Sequence, residues 1–136
     1  MYEKILKNTL DILQTLPTPI PESGNIAGIV KEYRAQKTEM FLGDNYHYAM
    51  GTTFLKYGLL GVAKKARENK NNEGAEAELL EGIALTYEAI AAYVKRYADA
   101  IYEVANNDAR LLHIADMLDH LSHSAPVHFD EAVQLT

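Results

Sequence analysis

Apolar residues recur every three or four positions along nearly the whole chain, and no stretch alternates apolar with polar as a half-buried strand would. The first segment, roughly Glu3 to Leu16, carries Leu6, Leu10 and Leu13 on one side, with Ile5, Ile12 and Leu16 beside them. Prolines at 17, 19 and 21 then alternate, which predicts an extended connector over residues 17–25. A second segment, about Ile26 to Phe41, spaces Ile26, Ile29, Val30, Tyr33, Lys37 and Met40 helically. Gly43 predicts its stop, and Asp44 or Asn45 the next cap. The third segment, about Tyr46 to Asn69, has the stripe Leu55, Leu59, Val62 and Ala66, but also Gly51, Gly58 and Gly61. A glycine inside a helix costs up to about 1 kcal/mol relative to alanine. Three of them predict close backbone contact or a break near the helix start. Lys70 to Gly74 is a turn by composition.

The fourth segment has the clearest pattern. Leu80, Ile83, Tyr87, Ile90, Val94, Tyr97, Ile101 and Val104 alternate spacings of 3 and 4, a seam for neighbouring helices. Beside it Ala77, Ala84, Ala91, Ala98 and Ala105 fall one every seven residues, a small-residue row that lets one neighbour approach closely. One uninterrupted helix from about Ala77 to Ala105 is predicted, buried along Ile83, Ile90, Val94, Tyr97 and Ile101. Asn106 to Asp108 predicts the cap of a fifth segment, about Ala109 to Ser122, with Leu111, Ile114, Ala115, Leu118 and Leu121 inward. The chain then reads APVHFDEAVQLT: Pro126 breaks the helix, and Phe129, Ala132 and Val133 begin a short amphipathic face. About eight residues are too few for a helix stable on its own, so this element must take its stability from packing. The expectation is an all-α, elongated bundle of about five helices with one long central helix, residues 1–136 forming a single helical domain.

Length and composition narrow the classes. The 136 residues are 48% hydrophobic and 24% charged, ordinary for one globular domain. With no cysteine, the chain can form no disulfide, thiolate metal site or cysteine nucleophile of its own. No apolar run approaches the ~20 residues that span a bilayer, and MYEKILKNTL lacks a signal peptide's apolar run, so the cytoplasm is the expected location. A net charge of -6 argues against non-specific binding to nucleic acid.

Candidate chemistry is sparse. His113, Asp116 and His120 share a face of the fifth segment, with His123 nearby, and could hold a divalent metal. A solvated helix face is the preferred reading, because no fourth ligand or supporting shell accompanies them. A di-metal bundle of ferritin type needs Glu-x-x-His on two helices, and no glutamate here has histidine three residues on. Tyr87 and Tyr97 on the seam, with Tyr93 and Tyr102 beside it, read as packing residues whose hydroxyls reach polar partners. Lys64 to Arg67 reads as a basic cluster at a helix end, suited to the helix dipole. No glycine-rich phosphate loop or nucleophile–base grouping is present, so no catalytic and no cofactor-binding residue is assigned.

Several stretches together resemble a known family. Leu55-Lys56-Tyr57-Gly58-Leu59-Leu60-Gly61 is similar to the Leu-x-x-Gly-Leu-x-Gly stretch of the pyruvate formate-lyase-like domain of glycyl radical enzymes. Tyr87-Glu88-Ala89-Ile90 with Arg96-Tyr97-Ala98 resembles the long helix that follows there, and Arg110-Leu111-Leu112 with Ile114-Ala115 the next one. Pro126, Phe129, Glu131-Ala132 and Gln134 resemble the family's Pro…Phe-x-Glu-Ala-x-Gln. Order and spacing agree from about residue 50 to the end, whereas residues 1 to 44 carry no recognisable motif of the family. The family often has Gly-His and Pro-Asp before the first of these stretches; here Asn45 to Met50 reads NYHYAM, with His47 out of register.

The resemblance implies an outer helical layer of a larger α/β barrel enzyme, of the formate acetyltransferase, lyase or dehydratase type found in anaerobic metabolism. In that chemistry an activating enzyme installs a protein glycyl radical, which passes to a cysteine that attacks substrate. The cysteine and glycine loops would lie downstream, so this chain is expected to be a non-catalytic, truncated piece, inactive alone and needing no cofactor of its own. Its expected partner is the remainder of the enzyme, or a second copy met through exposed apolar helix faces, with no nucleic acid or membrane involved. A free-standing helical interaction module is the alternative, and a metal-binding bundle a weaker one.

Overall fold

The computed structural model describes residues 2–20, 51–69 and 74–135. The second segment, its Gly43 stop, the cap at Asp44 or Asn45 and the end of the proline connector lie outside the described residues. Within them are five helices and no strand: α1 (Tyr2–Thr15), α2 (Gly51–Glu68), α3 (Ala75–Val104), α4 (Ala109–His123) and α5 (Phe129–Leu135). The chain is all-α, as the periodicity predicts.

The spine is α3, 30 residues without interruption, or about 45 Å at ~1.5 Å per residue. Each half packs on a different partner. Towards its N-terminus Ala84 meets Ala63 and Ala66 of α2, flanked by Leu80, Ile83 and Tyr87. Towards its C-terminus Tyr97, Ala98 and Ile101 meet Ala115 and Leu118 of α4. Every alanine of the seven-residue row is buried, with Ala84 and Ala98 fully enclosed. The large-residue seam is different from expectation. Tyr97 and Ile101 are buried, but Ile83, Ile90 and Val94 are half-buried and Val104 is 46% exposed. Where two helices touch most closely only a methyl fits, so alanines take the contact line and larger side chains flank it.

Polar contacts fix the pairs. Arg67, in the last turn of α2, reaches two glutamates one heptad apart on α3, with Nη2 3.2 Å from Glu81 Oε1 and 2.9 Å from Glu88 Oε2. It is the member of the basic cluster that bridges helices, beyond the expected dipole role. Between α3 and α4 the chain reverses through Asn106 (φ 43) and Asn107 (φ 68), left-handed positions that asparagine tolerates better than most residues. Asp108 then caps α4, its side chain accepting from the backbone N–H of Arg110 at 2.8 Å and of Leu111 at 3.2 Å. Ala115, Leu118 and Leu121 are buried as expected, with Leu111 and Ile114 packed against the core.

The alanine line gives a direct test. Ala98→Leu should destabilise the fold by about 1–3 kcal/mol through overpacking. Ala92→Leu, at an exposed position of the same helix, should change it by no more than about 0.5 kcal/mol. Thermal melts of the two variants compare them directly, and similar losses in both would refute the close-contact role of the row.

Candidate functional site

The helices α2, α4 and α5 converge, and with them two of the family-like stretches, Leu55–Gly61 on α2 and Pro126–Gln134 around α5. The centre is Gly58. Its backbone (φ 65, ψ 178) breaks α2 into two helical stretches, in a region of conformation open essentially to glycine alone. The break lets Gly58 press against the loop between α4 and α5. A Cβ there would lie 2.6 Å from the Ser124 carbonyl oxygen and 2.8 Å from the Ala125 nitrogen, backbone atoms with little freedom to yield. The close approach anticipated for the glycine cluster occurs at this residue, and a break with it, but in the middle of α2 rather than near the helix start. Leu59 and Leu121, both buried, lie one residue beyond Gly58 and three before Ser124.

The loop opposite is held from both sides. His120 Nε2–H donates to the Ala125 carbonyl at 3.0 Å. Glu131, 6% exposed, turns its carboxylate inward. Its Oε2 accepts from the backbone N–H of Val127 at 2.7 Å and of His128 at 3.0 Å. Position three of a short helix thus reaches back to the amide before the helix, one half of a capping box. Burial by itself would raise the Glu131 pKa, but the two amide hydrogen bonds and the nearby His120 and His128 outweigh it, and the carboxyl is held below its ordinary value. The neighbouring Asp130 is also lowered, chiefly by His113, whose Nε2–H donates to Asp130 Oδ2 at 2.8 Å.

The histidine stripe is therefore shared out among separate tasks. His113 goes to Asp130 of α5. Asp116 accepts from the Tyr102 hydroxyl of α3 at 2.6 Å, a bond that pushes the phenol up to about 12. His120 is half-buried, at odds with a wholly solvated face, and serves the α4–α5 loop. His123 packs edge-on to His120, ring centroids 5.7 Å apart, and pairs with Ser124 Oγ at 2.8 Å. Among the described residues no three histidine, aspartate or glutamate side chains come together as a cation site requires. Tyr97, Tyr93 and Tyr102 each direct the hydroxyl to an oxygen acceptor, as read, although Tyr102 is exposed rather than packed.

The outer side of α5 is apolar. Phe129 is 85% exposed, and Val127 and Val133 lie exposed beside it, while Glu131 is the buried residue of the helix. The short amphipathic face read from Phe129, Ala132 and Val133 thus points outward at its large residues. Glu131 was missed as an anchor, although a glutamate three residues into a helix is the available signal.

A scan against family models matches the pyruvate formate lyase-like family over residues 28–136. The chain belongs to this family. The match begins well before the Leu55 stretch, so the family region takes in part of the segment that carried no recognisable motif, and leaves α1 and the described proline residues outside. No curated protein and no solved structure matches the chain significantly. No helix among the described residues is long and apolar enough to cross a membrane.

Two outcomes test the junction. Gly58→Ala suffers both the strained φ and the collision, whereas Gly74→Ala (φ 102) meets nothing within 4 Å. The first should cost at least about 2 kcal/mol more than the second by chemical denaturation. The second test is acid. Asp130 and Glu131 titrate lower folded than unfolded, so their ionised forms hold α5 in place above the ordinary carboxylate range. That contribution is lost as pH falls through the lowered folded values, from about pH 4 downward. Protection of the amides across Glu131 to Leu135, taken relative to the intrinsic exchange rate at each pH, should fall in that window, and Glu131→Gln should flatten the dependence.

Proposed function

We propose that the chain is a helical, non-catalytic portion of a glycyl radical enzyme of the lyase or dehydratase type, whose cysteine and glycyl radical loops lie in the remainder of that enzyme. The supporting observation is the family match across residues 28–136 in a chain with no cysteine. The hydrogen-abstracting thiyl radical has no residue here on which to form. On this reading residues 1–136 are one helical part of a larger pyruvate formate-lyase-like domain in the cytoplasm, and the junction around Gly58 is scaffolding. The apolar outer side of α5, with Phe129 85% exposed, is then a surface for the rest of the enzyme.

An interaction module remains the second reading, favoured by that same surface. The alanine row adds nothing to it, because α2 covers Ala84 and α4 covers Ala98.

Two measurements test the proposal. The purified chain, incubated with a glycyl radical activating enzyme under strict anaerobiosis, should show no glycyl radical signal by electron paramagnetic resonance and no turnover of pyruvate or glycerol. The coding DNA past the Thr136 codon, or in the adjacent frame, should encode a cysteine loop and a late glycine loop. Radical formation on the isolated chain, or a locus lacking both loops, would overturn the reading.

A further inference from the structure

The segment outside the family match makes an unusual contact. Among the described elements α1 packs on α3 alone, and none of its described side chains is fully buried. The residues after it, Leu16 to Ile20, run extended along α3 with Leu16, Thr18 and Ile20 half-buried and Pro17 and Pro19 exposed. Three α3 side chains hold this stretch by its backbone. Tyr93 donates its hydroxyl to the Pro17 carbonyl at 3.5 Å, and Tyr97 to the Pro19 carbonyl at 2.5 Å. Arg96, between them, donates to the carbonyls of Gln14 at 2.5 Å, Leu13 at 2.5 Å and Leu16 at 3.3 Å. The first two of these belong to the last turn of α1, whose carbonyls have no partner within the helix.

The spacing is a register match. Tyr93 and Tyr97, four residues apart in a helix, are separated by about 6 Å along its axis. Pro17 and Pro19, two residues apart in an extended proline-type chain, are separated by about 6.2 Å. The two hydroxyls therefore meet alternate carbonyls of a chain running parallel to α3. Proline brings no N–H to leave unpaired at these positions, and it stiffens the segment before binding. Arg96, 5.5 Å over the Tyr93 ring, and Tyr97, edge-on to Tyr93 at 5.8 Å, keep the three side chains in one array. Aromatic side chains that engage an extended, proline-stiffened chain are also what line the grooves that recognise polyproline segments, although here the tyrosines hold the carbonyls and the proline rings face outward.

We propose that the Tyr93–Arg96–Tyr97 edge of α3 is a recognition site for a helix end followed by alternating prolines, filled in cis by Leu13–Ile20, and that α1 with this segment detaches from it as a unit while the rest of the bundle stays folded. The segment held there, Leu13–Ile20, lies outside residues 28–136, and the contact stands independently of the role proposed for that region. Detachment removes Ile20 from the core cluster of Tyr97, Ala98, Ile101, Ala115 and Leu118, against which it packs.

Hydrogen exchange on the full chain tests detachment. Arg96→Gln with Tyr97→Phe should lower protection of the amides from Leu6 to Leu16 at least tenfold, with Ala115 to Leu121 changed less than twofold. If that variant does not fold, Pro17→Gly with Pro19→Gly, at exposed positions, should give the same split. Equal loss everywhere, or no loss in α1, would overturn the proposal. Recognition is tested in trans. A peptide of residues 7–20 added to the Pro17→Gly, Pro19→Gly chain should shift the Tyr93 and Tyr97 ring resonances saturably. Adding Arg96→Gln should weaken that binding at least tenfold. Absence of a saturable shift, or binding indifferent to Arg96, refutes the site.

Discussion

The closeness of the helices around α3 is the constraint on which the rest of the structure depends. An alanine recurs at every seventh position from Ala77 to Ala105, and every member of the row is buried. Only a methyl at the contact line lets the α2 and α4 backbones come near enough for dispersion and area burial to accumulate along both halves of a long rod. Leu121, Ile101 and Leu59 then fill what the alanines leave. The ion pairs of Arg67 with Glu81 and Glu88 sit at the half-exposed margin of this contact, where they fix register more than they add stability.

From that packing follows the junction at the other end of the bundle. Once α2 and α4 are both seated on α3, the loop after α4 has to pass close to α2, and Gly58 is where it passes. A residue with a side chain would have to move one of two backbones already held by the spine. The small helix α5 is then anchored by a buried carboxylate, with its largest apolar side chain left outside, because Glu131 turns inward to accept from two loop amides. That inversion leaves Phe129 outside.

Much of this was legible in the residues. The 3-4 spacing located α1, α3 and α4 within a few positions, Asp108 announced its cap, and the glycine cluster announced a close approach and a break, though the break falls in mid-helix rather than near the start. Two of the family-like stretches lie on elements that do pack together. Other features were hidden, each for a physical reason. Seam positions such as Ile90 look like core from their period, yet burial depends on how near the neighbouring axis lies, which periodicity does not encode. The facing of His113, Asp116 and His120 was right as helix geometry, but their partners came from α3, α5 and the α4–α5 loop, distant in sequence or beyond a bend. Glu131 reads as a solvent residue until the loop amides it serves are placed. Arg96, quoted only for its family likeness, gave no sign of its contact with the end of α1, since its acceptors are backbone carbonyls more than 75 residues away.

The two left-handed asparagines between α3 and α4 have a consequence for the entropy of assembly. Through Asn106 and Asn107 the longest helix and its main partner are joined by a loop of four residues, Ala105 to Asp108. Seating α1 on the same helix closes a loop of about eighty residues, as the separations of 76 and 83 between bonded pairs show. On the logarithmic law of loop closure the difference amounts to roughly 3 kcal/mol of chain entropy. The hairpin of α3 and α4 is thus nearly free of that penalty. The contact of α1 carries it in full, and does so with no completely buried side chain among its described residues to offset it.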